Sequence, residues 1–421
     1  MAIARAAASG RGGAAAPRRP RLGIAPPGEP ASGADGGAEF RFEVVRDLAG
    51  LDGVKEAWDR LAERSAAPEQ GFQAFAWVRS WAVHYADDGH ELAIVLGYRR
   101  GELALIWPLG ARKRLGGRVL EFLGEPLCQY HDVLIERRAG ADALLAAALR
   151  HLEETPYDVL ALRRVRADSK LATLLIEAGA TVDRREVAPF VDFAGAGNFE
   201  EFERTLPSKA RASRRRRMRR IRELGEIAFE TCDSPARADE LIETAMVFKR
   251  EWALKDGRYA PAAFDPRFER CFRDAARPGE PNASLRVFAM LCDGRPIGVE
   301  ISYAYKERLF AHVLAPDPAY AKYGLGNALA DAAIQAAFAQ GYRTYDLLAP
   351  ADPYKAAWTK DGVEVLDFTL TASRRGALLH WLAFGPGRRL ARAAAKRAPP
   401  ALARFLMRRT QRRAGARPAP L

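Results

Sequence analysis

Gly324-Leu325-Gly326-Asn327 follows an apolar run and opens a stretch of helical spacing, which is a place to hold phosphate. Glycine lets backbone approach a ligand, and the first N–H groups of a helix lack intrahelical partners and carry partial positive charge. The amides of Gly324, Gly326 and Asn327 are the expected donors to a diphosphate, with Leu325 in the same bend and Lys322 as the adjacent cation. A tight turn without a ligand is the plainer alternative. Glu300 and His312 are polar intrusions in two otherwise apolar strands. Buried polar groups need partners, so each is either paired or able to move a proton. Register decides whether they cooperate. A two-residue turn at Lys306-Glu307 pairs Glu300 with Val313 and puts His312 on the opposite face; a three-residue turn through Arg308 pairs Ser302 with His312 and puts Glu300 and His312 on one face. Tyr130-His131-Asp132 offers a further base, a loop histidine with a carboxylate to orient it, against the alternative of a solvated loop.

These residues need a scaffold. Ile297–Tyr305 and Arg308–Leu314 are rich in β-branched, aromatic and aliphatic residues and predict a hairpin. Leu325 to Phe338 has helical apolar spacing closed by Gly341, and Thr344–Leu348 reads as the next strand. From Phe40 onward the pattern predicts a strand at Phe40–Val44, then helices at Leu51–Leu61 and Ala74–Tyr85. A hairpin of Leu92–Tyr98 and Glu102–Leu109 follows, with short strands at Leu120–Leu123 and Val133–Ile135. Helix Ala141–Leu152, strand Tyr157–Val165, helix Leu171–Ala178 and strand Thr181–Phe193 complete a first α/β unit. Gly195-Ala196-Gly197 is the linker candidate. After it come the Arg-rich segment from Ser208, a strand at Ile227–Phe229, helices at Ala236–Lys255 and near Phe268, and strands from Leu285. Trp77 and Trp81, with Phe72 and Phe75 nearby, read as core; the rival is the wall of a groove between the two units.

The net charge of +13 is unevenly placed. Ser208 to Arg222 holds nine Lys or Arg and no acid, and Pro386 to Leu421 holds eleven and no acid. The rest of the body is acidic, which argues against a broad nucleic-acid face. Met218 and Ile221 form a narrow apolar seam, so the arginines read as solvent faces of a docked helix; an anion site is the rival. The C-terminal run also carries Leu402, Phe405, Leu406 and Met407 and could lie on anionic lipid. Four scattered cysteines without a nearby histidine cluster argue against a metal site and for a reduced, cytoplasmic protein, with the C-terminal tail as its peripheral contact to a membrane. Residues 1–38, poor in large apolar side chains, are expected to be disordered.

Gly71-Phe72-Gln73-Ala74-Phe75-Ala76-Trp77-Val78-Arg79-Ser80-Trp81, the Arg-rich Ser208–Gly225 and Gly324 through Trp358 resemble the CelD/BcsL-type GNAT acetyltransferases of cellulose and other exopolysaccharide synthesis. The double layout is also distantly similar to the Fem-type peptidyltransferases. The general GNAT loop has Gln or Arg where this chain has Ala321. The resemblance implies an α/β (α+β) fold of tandem GNAT-like domains, each a mixed sheet flanked by helices. The expected divisions are 39–195 for the N-terminal unit, 196–375 for the acyl-CoA-binding unit, and 376–421 for a basic tail. It also implies acetyl-CoA or another acyl-CoA as co-substrate, no metal, and a small-molecule or saccharide acceptor bearing an amine or hydroxyl. The Tyr-Lys-x-x-Trp motif is met by Tyr354, Lys355 and Trp358. Lys355 would stabilise the oxyanion or contact phosphate, Tyr354 would donate to the departing thiolate, and Asp346 would orient the acceptor. Aminoacyl transfer from charged tRNA to a cell-wall precursor and a non-catalytic binding module are the other readings.

Overall fold

The first strand, β1 (Phe40–Val45), runs into α1 (Leu48–Gly53), α2 (Lys55–Ser65) and α3 (Phe75–Tyr85). Asp47 starts α1 by accepting from the Gly50 amide at 2.7 Å, and a break at Val54 divides the single helix expected over Leu51–Leu61. Next come β2 (His90–Leu92), β3 (Ile94–Arg99), β4 (Glu102–Trp107), β5 (Leu109–Arg114), β6 (Gly117–Phe122) and β7 (Leu134–Ile135). The first half closes with α4 (Ala141–Glu154), β8 (Val159–Arg166), α5 (Lys170–Glu177) and β9 (Thr181–Asp192). The second half is α6 (Phe199–Thr205), α7 (Ser208–Arg222), β10 (Ile227–Thr231), α8 (Pro235–Lys255), α9 (Pro266–Ala275), β11 (Ala283–Cys292), β12 (Arg295–Tyr305) and β13 (Arg308–Pro316). It ends with α10 (Leu325–Ala339), β14 (Thr344–Asp346), β15 (Gly362–Thr371) and α11 (Arg374–Ala383). This computed structural model describes residues 40–387 apart from 87–88, 155, 233, 256, 258–259, 276–282 and 386. The expected disorder of 1–38 and most of the basic tail lie outside the described residues.

The strands form a four-stranded sheet, β1-β3-β4-β7, and an eleven-stranded one, β10-β11-β12-β13-β14-β9-β15-β8-β6-β5-β2. Helices flank both, giving the mixed α/β architecture expected. The halves are tied by exchange within the large sheet. β15 belongs to the second half in sequence but lies antiparallel between β8 and β9, while β9 pairs on its other edge with β14. Among the described residues no helix is long and apolar enough to cross a membrane.

Side chains also join the halves. Phe72 and Trp77, both buried, meet Tyr303 with ring centroids 5.8 and 4.4 Å apart. The Tyr303 hydroxyl donates to the Gly71 carbonyl at 3.2 Å, and a Cβ on Gly71 would stand 2.7 Å from Tyr305 Cβ. Gly71 therefore serves close approach, and Trp77 and Trp81 are core.

Lys306, at the β12–β13 turn, sends its ammonium to the carbonyls of Ala62, Glu63 and Ala66 at the end of α2. The Ala62 carbonyl already takes the Ala66 amide at 2.9 Å, while those of Glu63 and Ala66 lie past that last intrahelical bond, where a cation is favoured. Lys306→Ala is expected to cost about 1–2 kcal/mol in urea unfolding, while Lys306→Arg retains most of that stability.

Candidate active site

β13 leads through a short 3₁₀ turn, Pro318–Tyr323, to α10, and Gly324 joins them at φ +72° and ψ 33°. That left-handed conformation suits glycine. A Cβ on Gly326 would stand 3.3 Å from Pro316 Cγ, so glycine also lets the start of α10 close on the end of β13. The structure redistributes the expected donors. The Gly324 amide donates to Ala321 O at 3.2 Å and the Asn327 amide to Gly324 O at 3.1 Å, so both are used within the turn. The amides of Leu325 and Gly326 are the helix-start donors that remain, while the Leu325 side chain is buried beside Leu329 and Ile297.

Cations crowd this bend. The arm of Arg217, from α7, lies 3.5 Å from the position of a Gly324 Cβ, and its Nη1 reaches Asp331 Oδ2 at 2.6 Å. Lys322 Nζ lies 5.0 Å and Arg220 Cζ 5.9 Å from the Tyr323 ring centroid.

Glu300 lies on the face of β12 that α10 covers. The hairpin has the two-residue turn, with Tyr305 opposite Arg308, but a bulge between Ile301 and Ser302 changes the register above it. Glu300 therefore faces Leu314, and neither expected pairing is realised. His312 is the extra residue of the bulge and points to the other face, so the two candidates are separated by the sheet. Glu300 is 1% exposed; its Oε1 accepts from Ser302 Oγ at 2.7 Å and from the Tyr345 hydroxyl, and its Oε2 has no partner among the described residues. Burial pushes its carboxyl up to about 7 against those two hydrogen bonds. The half-buried Tyr354 feels the same group: burial first, then the nearby Glu300 and Asp352 carboxylates, raise its phenol.

His312 is enclosed by aromatic rings, with Phe272 at 5.1 Å and Trp77 at 5.8 Å between centroids, and its Nε2 bonds Leu127 O. A ring nitrogen facing a carbonyl must carry the proton. Burial holds its pKa down to about 4, so it is a neutral pin for the loop at Leu127. Lys355 is buried rather than a surface group. Its ammonium donates to Leu348 O at 2.8 Å and Pro350 O at 2.7 Å, which fixes the loop after β14.

Asp346 is fully buried and accepts from Arg308 Nη1 at 2.6 Å, the Tyr130 hydroxyl at 2.8 Å and the Leu348 amide at 2.9 Å. The last bond ends β14 two residues earlier than expected, because an aspartate side chain that takes the amide two positions on turns the chain. β13 and β14 pair only from Arg308–Thr344 to Phe310–Asp346, although β13 runs on to Pro316. A wedge opens there, and α10 begins beyond the far end of β13. His131 and Asp132 do not form the expected pair. His131 stacks on Phe122 with Nδ1 toward Arg163 O at 2.9 Å, whereas Asp132 accepts from Gln70 and the Val133 amide.

Residues 208–356 match the family described as Acetyltransferase (GNAT) domain. That segment of the chain is similar to a GNAT domain. No curated protein matches the chain by sequence. Among solved structures, FemX is 12% identical with a TM-score of 0.56, covering 78% of this chain and 98% of FemX. The C-terminal domain of a lysylphosphatidylglycerol synthetase from Agrobacterium fabrum is 11% identical with a TM-score of 0.51, covering 80% and 98%. A tandem GNAT protein from the clavulanic acid biosynthesis pathway is 13% identical with a TM-score of 0.46, covering 79% and 99%. At these identities the first two likenesses speak for the fold alone.

In and beside the matched segment the structure adds residues that sequence reasoning missed. Arg214 is buried, with Cζ 4.0 Å from the Trp358 ring centroid, so the arginines of α7 are not all solvent-facing. Trp358 Nε1 donates to Asp331 Oδ1 at 2.9 Å, and burial lifts that carboxyl to about 6 against Arg217 and Arg214. The signal was present: Asp331 is the only charged residue in α10. Among the described residues no cluster of His, Cys, Asp or Glu could hold a metal ion.

Proposed function

We propose that this GNAT-type fold transfers an acetyl or longer acyl group from acyl-CoA to an amine or hydroxyl acceptor. The observation that carries the reading is the bend at Gly324, where two helix-start amides lie beside the arm of Arg217 and next to Tyr323, whose ring Arg220 and Lys322 approach. Those groups suit a diphosphate, and the wedge left where β13 and β14 cease to pair would give the donor's arm a way past the sheet toward Glu300 and Tyr354. Glu300, with a carboxyl that titrates near neutrality, would take the acceptor's proton, relayed by the half-buried Tyr354 phenol. Lys355 would act by holding the loop of Leu348 and Pro350 in shape, in place of direct contact with the reacting carbonyl. A saccharide acceptor in exopolysaccharide or envelope synthesis is supported by the sequence resemblance only, and a cytoplasmic setting by cysteine usage only.

Titration calorimetry with acetyl-CoA is the test. Binding should release heat, and Arg217→Ala should weaken it at least about tenfold, since a hydrogen bond to a charged group contributes roughly 1.5–3 kcal/mol. No heat with any acyl-CoA, from protein whose melting is normal, would overturn the reading. The aminoacyl alternative, favoured by the exposed arginines of α7, would show instead as tRNA binding whose affinity falls steeply with salt.

A further inference from the structure

α11 is apolar on both sides. Leu379, Ala383 and the following Phe384 are buried against Val119, Val159 and Ala161 of the sheet. Leu378, Trp381 and Leu382 point the other way and are 60%, 49% and 43% exposed. Their three- and four-residue spacing puts them on one face. A cluster of large apolar side chains left exposed beside a buried face is one that something covers.

A second chain segment reaches the same end of the molecule. Leu115, at the tip of the β5–β6 turn, is 71% exposed. The turn and the helix touch: Arg375 donates to Gly116 O, and a Cβ on Gly117 would stand 2.8 Å from Leu379 Cδ2. Cations rim the apolar side chains. Lys113 is exposed beside Leu115, Arg114 Cζ lies 5.0 Å from the Phe384 ring centroid, and Arg374 and Arg375 are exposed at the start of α11. Beyond residue 387 the sequence continues through 388–421 with eleven Lys or Arg and no acid.

We propose that this end of the protein docks on an anionic lipid bilayer. Leu115, Leu378, Trp381 and Leu382 would enter the interface while Lys113, Arg114, Arg374, Arg375 and the basic stretch 388–421 meet the headgroups. The charge decides among occupants. A second copy would bring another ring of cations against this one, whereas an anionic surface complements the rim and the stretch that leaves from it. Tryptophan beside leucine, with arginine at the edge, is the composition that settles where bilayer meets water. Each cation near an anionic surface adds attraction that salt screens. The placement is independent of the acyl-transfer reading.

The test is sedimentation of the full chain with vesicles of phosphatidylglycerol and phosphatidylcholine, set against phosphatidylcholine alone. Binding to the anionic vesicles is expected, and it should fall as salt is raised. Leu378→Glu/Trp381→Glu should reduce partitioning about tenfold or more, with melting temperature and acetyl-CoA binding unchanged because both positions face solvent. A chain ending at residue 387 should keep a weaker, salt-dependent affinity that still depends on Trp381. Three results would overturn the proposal: no preference for the anionic vesicles, binding that ends at residue 387 abolish completely, or a dimer in solution that Leu378→Glu/Trp381→Glu dissociates.

Discussion

Asp346→Ala should destabilise the protein by about 3–5 kcal/mol, the usual cost of removing one partner from a buried ion pair. Asp346 is 0% exposed, and its three donors come from β13, from the loop after β14 and from Tyr130 in the first half. Alanine leaves the guanidinium of Arg308, a residue 8% exposed, without its counter-charge; among the described residues its other contact is the Phe190 ring with centroid at 5.4 Å. It also strands the Tyr130 hydroxyl and frees the Leu348 amide. The second loss reaches the candidate site, because Leu348 O is one of the two carbonyls that Lys355 holds. Urea unfolding measures the effect. The double replacement Arg308→Met/Asp346→Leu should recover most of it, because exchanging a buried pair for apolar side chains is often neutral. A single-mutant loss under about 1 kcal/mol would mean that water reaches the pair, and that the halves are not joined through it.

That network shows where sequence reasoning stops. Elements with strong local periodicity were legible: α4, α8 and α10 stand where apolar spacing placed them, and the β3–β4 hairpin turns at Arg100-Gly101, both at positive φ. β15 was not anticipated, and its neighbours β8 and β9 precede it by far in sequence. Periodicity carries no information about which distant edge a strand will fill. The bulge at His312 is a similar case. Glu300 and His312 were both visible as polar residues in apolar strands, and the two-residue turn by itself puts them on opposite faces; the inserted residue, which no residue type marks, moves Glu300 from Val313 to Leu314. In Tyr130-His131-Asp132 attention went to the titratable pair, although the tyrosine is the member that reaches the other half. Arg214 could not be separated from its eight basic neighbours in α7, because its burial depends on Trp358, far along the chain.

Glu300→Gln should produce two separable effects. The first is on stability. A carboxyl with an ordinary pKa near 4.3 when unfolded and about 7 when folded keeps its proton in the native state while the unfolded chain loses it. The native state then binds more protons, so this group makes stability fall as pH rises from about 4.3 to 7, and the contribution is flat above that. Across the window the change is on the order of 4 kcal/mol. Glutamine does not titrate, so the variant's melting temperature should gain on the parent's between pH 5 and pH 8. Equal offsets at both pH values would show that water or an unseen cation already compensates the carboxylate. The second effect is on rate. If Glu300 takes the acceptor's proton, kcat/KM should rise through pH 7 in the parent and lose that dependence in the variant, with a drop of about 10²-fold or more. A pH-dependent gain in melting temperature with an unchanged rate profile would leave Glu300 as a buried carboxyl that Tyr345 and Ser302 hold in place, and the base would have to be sought elsewhere around the wedge.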